Sequence, residues 1–279
     1  MDLSKMLLYF TTRIESTFPD GSSFLGTGFF YEIEVGSGVV SGIITNRHVF
    51  ENEENGEIAV EAEFRINLRQ KDKKEPEIGK FKELKYPNLS RNIVFHPNNE
   101  IDLAFIPIKP ILNVFSGIDE LPFYITLGAE SIPTDEEVNN LSALEDIYMI
   151  GYPSGIFDEF NNLPIIRKGT TATPIYIDYD NEKEFLIDAT IFEGSSGSPV
   201  VIYHDGNFGG MKTSQKFIFL GVLYSGFDET MEGEIIKKKK KPKKEIKLIA
   251  RTEIPLNLGI VLKASLIKDF APILERRVK

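Results

Sequence analysis

The sequence predicts an all-β protein, and two features of its 279 residues carry that prediction. Most of the chain consists of short runs of β-branched and aromatic residues separated by Gly, Pro, Asn and Asp, which is the pattern of strands joined by turns. Helical periodicity is confined to two segments, and no internal repeat is present. Many short strands with few helices are typical of a β-sandwich or β-barrel.

The predicted strands follow one another along the whole chain. The clearest are 24–34, 39–45, 102–108, 175–179 and 217–224. Gly, Pro and Asp are frequent between 116 and 134, so this stretch is the predicted seam between two β halves. Segment 228–245 is dominated by Glu, Gly and Lys, and we expect an exposed, irregular insertion there because it has little to bury.

Two segments have helical patterning. In 133–144, Thr134 is a candidate N-cap, and three acidic residues follow it in the first turn. In 265–277, four apolar side chains fall on one face: Leu266, Phe270, Ile273 and Leu274. The second segment is predicted to be a C-terminal helix that packs on a β-barrel.

The composition excludes several classes of protein. With no cysteine there is no disulfide framework, no thiolate zinc site and no cysteine nucleophile, and three histidines leave little for a histidine metal cluster. A chain of this length hides about 75% of the surface that its unfolded form exposes. We therefore expect a core that needs no covalent or metal staples.

Charge and hydropathy predict a soluble, cytoplasmic chain. The apolar run at 6–10 is too short for a signal peptide, and no segment has the roughly 18 apolar residues of a membrane span. A net charge of -10 argues against nucleic acid as the main partner. Segment 237–247 holds eight Lys and one Glu, so removing its +7 leaves -17 for the rest of the chain.

Two motifs place a His and an Asp at the ends of predicted strands. Gly-Ile-Ile-Thr-Asn-Arg-His-Val at 42–49 is an apolar strand with His48 at its end, a place where a lone His is more often a surface residue. Asn-Glu-Ile-Asp-Leu-Ala-Phe-Ile at 99–106 puts Asp102 at the mouth of an apolar strand, where a turn Asp is an equally good interpretation. Neither motif is specific on its own.

The third motif, Glu-Gly-Ser-Ser-Gly-Ser-Pro-Val-Val at 193–201, is the strongest. Its small residues let the backbone turn tightly, so that the hydroxyl of Ser196 projects and neighbouring N–H groups point at one spot. An ordinary Gly/Ser loop explains the composition, but it explains less well the strand that begins at once with Pro199. The motif predicts a serine nucleophile.

Together the motifs resemble those of the trypsin-like (chymotrypsin-fold, PA clan) serine peptidases, in a cysteine-free, cytosolic, bacterial-type form. In that family a His near a strand end, an Asp that opens a strand and a Gly-x-Ser-Gly-[Gly/Ser]-Pro turn follow in this order. Here His48 and Asp102 are 54 residues apart, and Asp102 and Ser196 are 94 apart. Gly-Thr-Gly-Phe-Phe at 26–30 and Leu-Gly-Val-Leu-Tyr-Ser-Gly at 220–226 are also similar to family strands. The resemblance extends over nearly the whole chain.

The resemblance implies two six-stranded antiparallel β-barrels followed by a C-terminal α-helix. The N-terminal barrel, residues 1–120, would carry the His and the Asp, and the C-terminal barrel, residues 121–279, would carry the Ser. A basic insertion at about 228–255 would lie beside the substrate cleft, and the helix would occupy about 265–277.

The resemblance also implies a serine endopeptidase that works through an acyl-enzyme. His48 would take the proton of Ser196 as its hydroxyl attacks, and Asp102 would hold the imidazole tautomer. The N–H groups of Gly194 and Ser196 would form the oxyanion hole. No metal or organic cofactor is required.

Substrate contacts follow from the same resemblance. The primary pocket would lie near Thr190, and the strand Tyr224, Ser225, Gly226 would pair with the substrate as an added β-strand. The Ile-Phe pair that follows Thr190 indicates an apolar wall, so we expect a neutral side chain on the residue that supplies the scissile carbonyl.

One departure from the secreted members concerns activation. They have an Asp just before the nucleophile, which pairs with an N-terminus released by cleavage, whereas Ser195 is neutral. We therefore do not expect zymogen cleavage to be the switch. Control would come from substrate choice, from an activating or sensor protein, or from an initially malformed oxyanion hole.

Two rival interpretations of the motifs are weaker. An α/β-hydrolase needs Gly-x-Ser-x-Gly and a His well downstream, but position 198 is Ser and His204 follows within eight residues. His96 competes for the role of base because it lies near Asp102 in sequence. Its Pro and Asn neighbours mark a turn, so we expect His96 to be a surface residue.

Two further functions remain open beside the endopeptidase. The chain is alternatively a protease-like module that binds peptides without cutting them, or a protease subunit that is silent until a partner activates it. The lysines from Lys237 to Lys244 are either a solvated loop or a docking segment for an acidic partner. A membrane is not an expected partner.

Overall fold

A computed structural model describes residues 3–116, 119–208, 211–212, 215–234 and 249–278. Strands account for most of its regular structure, and the α-helices are short. The lysines from Lys237 to Lys244 lie outside the described residues. The acidic partner expected to bind them therefore stays a prediction.

The elements are as follows. The strands are β1 (Thr11–Thr17), β2 (Ser23–Val35), β3 (Gly38–Thr45), β4 (Glu61–Gln70), β5 (Phe81–Lys85), β6 (Val94–Phe95), β7 (Ala104–Pro107), β8 (Glu120–Phe123), β9 (Asp146–Gly151), β10 (Ile165–Thr171), β11 (Glu184–Asp188), β12 (Pro199–His204), β13 (Asn207–Phe208), β14 (Met211–Lys212), β15 (Lys216–Glu234) and β16 (Ile249–Lys263). The α-helices are α1 (Leu3–Met6), α2 (Leu89–Asn92), α3 (Lys109–Leu112), α4 (Asp135–Asn139) and α5 (Ala271–Val278). The 3-10 helices are Arg47–Val49, Asn113–Phe115, Ala129–Ser131, Pro153–Gly155, Tyr179–Asn181 and Ala264–Phe270.

Two antiparallel sheets organise these strands. The first sheet runs in the order β5-β4-β1-β2-β3-β7-β6, and β8 pairs with β4. The second sheet closes on itself as the barrel β10-β11-β16-β15-β12-β9. The predicted all-β class is confirmed, with its closed six-stranded barrel, a second sheet and a C-terminal helix.

The first sheet differs from the prediction in its strand count. Its described part has eight strands in an open order, where a six-stranded barrel was predicted. The reason is the length of β4: the edge that pairs with β1 at residues 61–64 pairs with β8 at residues 67–70, and β5 pairs along the other edge. The two-residue strand β6 adds an eighth strand at the opposite edge.

Both predicted helices form, but with different bounds. The hydroxyl of Thr134 accepts the N–H of Glu137, whose carboxylate accepts the N–H of Thr134, so the predicted cap is a full capping box. This helix, α4, ends already at Asn139. At the C-terminus the chain is 3-10 over Ala264–Phe270 and becomes α-helical only in α5, because Pro272 has no N–H and suits the first turn of an α-helix.

Two sequence predictions about local structure are wrong. Segment 175–179 is not a strand. It follows Pro174, and the Pro174 carbonyl accepts the N–H of Ile177 in a turn. The insertion predicted as irregular is strand over most of its described part, since Asp228 to Glu234 of β15 pair with Pro255 to Ile249 of β16. Pairing satisfies the backbone groups between the two strands, and the outward-facing groups of an exposed ladder can bond to water.

The core joins both sheets to the C-terminal segment. One cluster of buried side chains combines Phe29 and Phe105 of the first sheet with Val201 and Phe219 of the barrel and with Phe270. Separate clusters fill the first sheet and the interior of the barrel. The C-terminal segment therefore packs on the first sheet although it follows the barrel in the chain, and α5 contacts β2.

Two further points concern boundaries and membranes. The predicted division after residue 120 stays a prediction; β8 lies across it and pairs with the first sheet. No helix in the described part of the chain is long and apolar enough to cross a membrane.

Candidate active site

His48 and Asp102 are brought together by two neighbouring strands. His48 lies in the 3-10 turn Arg47–Val49, directly after β3, and Asp102 lies just before β7. In the ladder Thr45 faces Ala104, so the end of β3 and the start of β7 meet at one edge of the sheet. The pairing therefore brings together two side chains that are 54 residues apart.

The Asp102 carboxylate makes two contacts with His48. Its Oδ2 lies 2.6 Å from Nδ1 of the His48 ring, and its Oδ1 accepts the His48 backbone N–H at 3.0 Å. The side-chain amide of Asn46 donates to the Asp102 carbonyl at 2.8 Å. Because an ionised carboxylate only accepts, Nδ1 carries the proton and Nε2 is left as the basic nitrogen.

Aromatic and cationic neighbours brace the turn that carries His48. The ring of Phe24 packs edge-on against the imidazole, with centroids 5.3 Å apart. The guanidinium of Arg47 pairs with Glu51 and lies 4.6 Å from the centroid of the Phe95 ring. The Phe24 ring restricts the imidazole directly, and the Arg47 contacts hold the turn that carries it.

The nucleophile loop, residues 193–198, joins β11 to β12 and owes its shape to two glycines. Gly194 and Gly197 have φ of 77° and 86°, in the left-handed region that favours glycine. A Cβ on Gly197 would lie 1.9 Å from the carbonyl oxygen of Thr27, and one on Gly194 would lie 2.5 Å from that of Tyr152. Both glycines are therefore required, and they leave Ser196 partly exposed.

Thr27 of β2 ties the nucleophile loop to the first sheet. Its N–H donates to the Ser196 carbonyl at 2.8 Å, and its hydroxyl donates to the Gly194 carbonyl at 2.8 Å. That hydroxyl also accepts the N–H of Tyr152 at 3.1 Å, and the Thr27 carbonyl accepts the hydroxyl of Thr45 at 2.7 Å. Thr27 is fully buried. Its role escaped the sequence analysis, which recognised only a family strand at 26–30.

The peptide between Glu193 and Gly194 has a fixed orientation. The Glu193 carbonyl accepts the N–H of Ser154 at 2.6 Å, and the Ser195 N–H donates to the Phe192 carbonyl at 3.0 Å in a turn. In a trans peptide the C=O and the N–H point in opposite directions. The N–H of Gly194 is therefore directed away from Ser154.

The hydroxyl of Ser196 does not bond to His48 in this structure. Within the described part of the chain this hydroxyl makes no hydrogen bond, either to His48 or to any other residue. Catalytic hydrogen bonds are often long in the absence of substrate and tighten when it binds. Of the three predicted catalytic residues, the structure thus joins His48 to Asp102 directly and links Ser196 to the same sheet through Thr27.

The predicted substrate strand shares a cleft with His48. An open cleft of about 620 Å³ is lined by His48, Asp102, Tyr224 and Ser225, among others. Gly226 continues this strand and faces the segment that begins with the half-buried Thr190.

A carboxyl group at the cleft strand was not found from the sequence. The Tyr224 hydroxyl donates to Glu184 Oε1 at 2.8 Å. Burial raises the pKa of Glu184 and, together with the hydrogen bond to Glu184, that of Tyr224. Tyr224 therefore stays a neutral phenol, and its hydroxyl donates its proton in the hydrogen bond to Glu184 Oε1.

His96 is not the surface residue predicted. It is 3% exposed, its Nδ1 accepts the Asn98 N–H at 3.2 Å, and its Nε2 lies 3.2 Å from Oδ2 of Asp269. Its ring packs edge-on against Phe270. The C-terminal segment covers His96, which is absent from the lining of the cleft.

The chain is similar to a known family of proteins. The family model of the trypsin-like peptidase domain matches residues 26–211. No curated protein sequence matches significantly.

Similar solved structures include the protease Anisep from Arthrobacter nicotinovorans, with 15% identity, a TM-score of 0.42 and coverage of 79% of this chain and 85% of that one. The HtrA-type protease AlgW, solved with a tripeptide, has 16% identity, a TM-score of 0.49 and coverage of 99% and 63%. The active form of the Rv3671c protease from M. tuberculosis has 16% identity, a TM-score of 0.41 and coverage of 95% and 84%.

The resemblance drawn from the sequence motifs is confirmed by the family match, which extends over well over half of the 279 residues. The matched residues contain His48, Asp102 and the whole nucleophile loop. The chain therefore belongs to the family of trypsin-like peptidase domains and is a serine endopeptidase.

Proposed function

We propose that this endopeptidase cuts peptide bonds through His48, Asp102 and Ser196 and an acyl-enzyme intermediate. The observation that carries the proposal is the contact of 2.6 Å between His48 Nδ1 and Asp102 Oδ2. It lies in a cleft that is also lined by Tyr224 and Ser225, which belong to the strand expected to hold the substrate.

Proton transfer follows from this arrangement. Ser196 Oγ attacks the substrate carbonyl carbon and passes its proton to His48 Nε2, which then protonates the leaving amine. Asp102 stays ionised and stabilises the imidazolium while it exists. Water repeats the two steps on the acyl-enzyme, which frees the acid product and restores Ser196.

The negative oxygen of the tetrahedral intermediate binds to the N–H groups of Gly194 and Ser196. The hydrogen bond from the Ser154 N–H to the Glu193 carbonyl, at 2.6 Å, supports this role because it holds the Gly194 N–H on the opposite side of the peptide. A donor of this kind contributes about 10²- to 10³-fold to kcat.

The substrate binds as an added strand along Tyr224, Ser225 and Gly226, with its primary side chain near Thr190. Tyr224 and Ser225 support this because they line the cleft that contains His48. The strand offers backbone groups to the substrate, and main-chain pairing of this kind gives affinity with little dependence on sequence.

The same proposal extends to location, partners and control. A cytoplasmic location is supported by the absence of cysteine, since a chain without disulfides suits a reducing compartment. The lysines from Lys237 to Lys244 are proposed to attract an acidic partner. An activating or sensor protein is the proposed source of control, because Ser195 is not an acid that an N-terminus could pair with.

One observation favours a second candidate function. The Ser196 hydroxyl makes no hydrogen bond to His48 within the described part of the chain. A protease-like peptide-binding module, or a subunit silent until a partner aligns the two residues, would have such a site.

A fluorophosphonate probe separates these functions, and two adjacent serines give a matched pair of variants. Ser195 is 4% exposed and its hydroxyl has no hydrogen-bond partner, so Ser195→Ala removes a hydroxyl without breaking a contact. We expect wild type and Ser195→Ala to be labelled and to degrade denatured casein, and Ser196→Ala to do neither. Folded wild type that is neither labelled nor active would support the binding module or the silent subunit.

A further inference from the structure

The groove that leads away from the nucleophile loop is closed by one side chain, that of Ile191. The loop is bonded to β15, since the Gly197 N–H donates to the Leu223 carbonyl at 2.8 Å and the Leu223 N–H donates to the Ser198 carbonyl at 2.9 Å. The part of β15 that follows Leu223 therefore runs from the nucleophile loop along the segment that contains Ile191.

Two glycines face Ile191 from the other side of the groove. Gly226 of β15 and Gly259 of β16 are paired in the ladder. A Cβ on Gly226 would lie 2.9 Å from Cβ of Ile191, and a Cβ on Gly259 would lie 2.8 Å from its Cδ1. Carbon atoms do not approach so closely, so Ile191 rests directly on the backbone of both strands.

The position of Ile191 is also fixed from behind. Its side chain is partly buried and packs on the cluster that fills the barrel. Moving it out of the groove would uncover apolar surface of that core, which is unfavourable. The side chain is thus a fixed part of the wall, because its displacement would be energetically unfavourable.

The groove is where a substrate must place the side chain of the residue that supplies the scissile carbonyl. If that carbonyl reaches Ser196 Oγ and the peptide follows Tyr224 to Gly226, this side chain points between β15 and the segment of Ile191. With Ile191 against Gly226, the gap has no room for a long aliphatic, aromatic or charged group.

We propose that Ile191 restricts this endopeptidase to cleavage after Gly and Ala. The inference rests on the proposed function, and it sharpens the neutral side chain expected from the sequence into a small one. One methylene in a closed pocket changes kcat/KM by about 10- to 200-fold. We expect Leu, Phe and Lys to be disfavoured against Ala by about 100-fold or more.

The test combines cleavage-site sequencing with matched peptides. Sites in denatured casein are identified by mass spectrometry, and kcat/KM is measured for peptides that differ only in Gly, Ala, Leu, Phe or Lys before the cut bond. Wild type should cut after Gly and Ala. Ile191→Ala should raise kcat/KM for the Leu and Phe peptides, relative to that for the Ala peptide, at least tenfold.

Ile166→Ala is the matched control, because Ile166 is 38% exposed on β10. It should keep the wild-type preference. Wild-type cleavage after Phe or Lys as fast as after Ala overturns the inference by itself, so the test does not depend on the folding of Ile191→Ala. An unchanged preference in folded, active Ile191→Ala overturns it as well.

Labelling by an alkyl fluorophosphonate separates this inference from the proposed function, since the probe carries no side chain for the groove. Labelled wild type that cuts after large residues contradicts only the role of Ile191. Folded wild type that is neither labelled nor active contradicts both.

Discussion

The two halves of the candidate site are held in place in different ways. His48 and Asp102 stand at one edge of one sheet and are joined by side-chain contacts, with Nδ1 and Oδ2 2.6 Å apart. The nucleophile loop is held through its backbone, by Thr27 of the first sheet and by Ser154 next to the barrel. The pair of His48 and Asp102 thus depends on contacts within one sheet, whereas the position of Ser196 depends on how the two sheets meet.

The residues around Ser154 are themselves attached to the first sheet. The bridging loop, residues 153–163, places the Phe157 ring within 5.2 Å of the Arg65 guanidinium carbon. The amide of Asn162 donates to Asn67 Oδ1 at 2.7 Å, and both residues are buried. Contacts with the first sheet therefore reach the peptide between Glu193 and Gly194, the proposed oxyanion peptide, through the bridging loop.

The largest expected effect comes from breaking the base half alone. Asp102→Asn should lower kcat about 10⁴-fold, because an amide cannot stabilise the imidazolium and favours the wrong tautomer. The thermal midpoint should change little, since the amide fits the same space. Asp72→Asn, at an exposed turn, is the control. Activity within tenfold of wild type in Asp102→Asn would show that this half is not the base.

The next effect comes from breaking the nucleophile half alone. Thr27→Val keeps the shape but leaves the Gly194 carbonyl and the Tyr152 N–H without their hydroxyl partner, which costs about 1–3 kcal/mol for each group. We expect kcat to fall about 10²-fold because a misplacement of about 1 Å has that effect.

Its readout differs from that of a change in the base. In Thr27→Val, KM and the shape of the pH profile should stay as in wild type, and Thr27→Ser should restore kcat. A shifted pH profile in Thr27→Val would mean that Thr27 acts on His48 and would break the division into two halves.

A smaller effect should come from the bridging loop. Asn67→Ala removes the acceptor of the Asn162 amide in a buried place, so we expect a loss of about 1–3 kcal/mol in the free energy of unfolding. A fall of kcat without a change in KM would show that the loop transmits to the oxyanion peptide. Urea unfolding and steady-state kinetics measure the two quantities, and an effect on stability alone would confine the loop to a structural role.

The smallest effect concerns pH and stability at the cleft strand. Burial raises the pKa of Glu184, so the folded chain holds a proton that the unfolded chain releases first. Stability should therefore fall as the pH rises from the ordinary pKa of a Glu to its raised value. Glu184→Gln should flatten this slope in urea unfolding at weakly acidic pH. An equal slope in both proteins would contradict the role of Glu184.

The sequence was sufficient where the signal is local. His48 and Asp102 each end or open an apolar strand, and the glycines of the nucleophile loop are needed for its own turns. These features depend on neighbours in the chain. The strands, the capping box at Thr134 and the small residues around Ser196 were accessible for the same reason.

The sequence was insufficient where distant segments decide the environment. His96 looked exposed because its cover, the segment around Asp269 and Phe270, lies more than 150 residues away along the chain. The hydroxyl of Thr27 contacts Gly194, which is 167 residues away, and nothing in the Gly-Thr-Gly motif indicates that. The pairing of β15 with β16 likewise depends on a partner strand and not on composition.

Whether both halves converge on Ser196 is tested most directly by a crystal structure of the fluorophosphonate-treated protein. We expect phosphorus bonded to Oγ of Ser196, with one phosphoryl oxygen about 2.7–3.1 Å from the N–H groups of both Gly194 and Ser196. His48 should keep Nδ1 on Asp102 and turn Nε2 toward the adduct. An adduct on another residue, or a phosphoryl oxygen that meets neither N–H group, would contradict it.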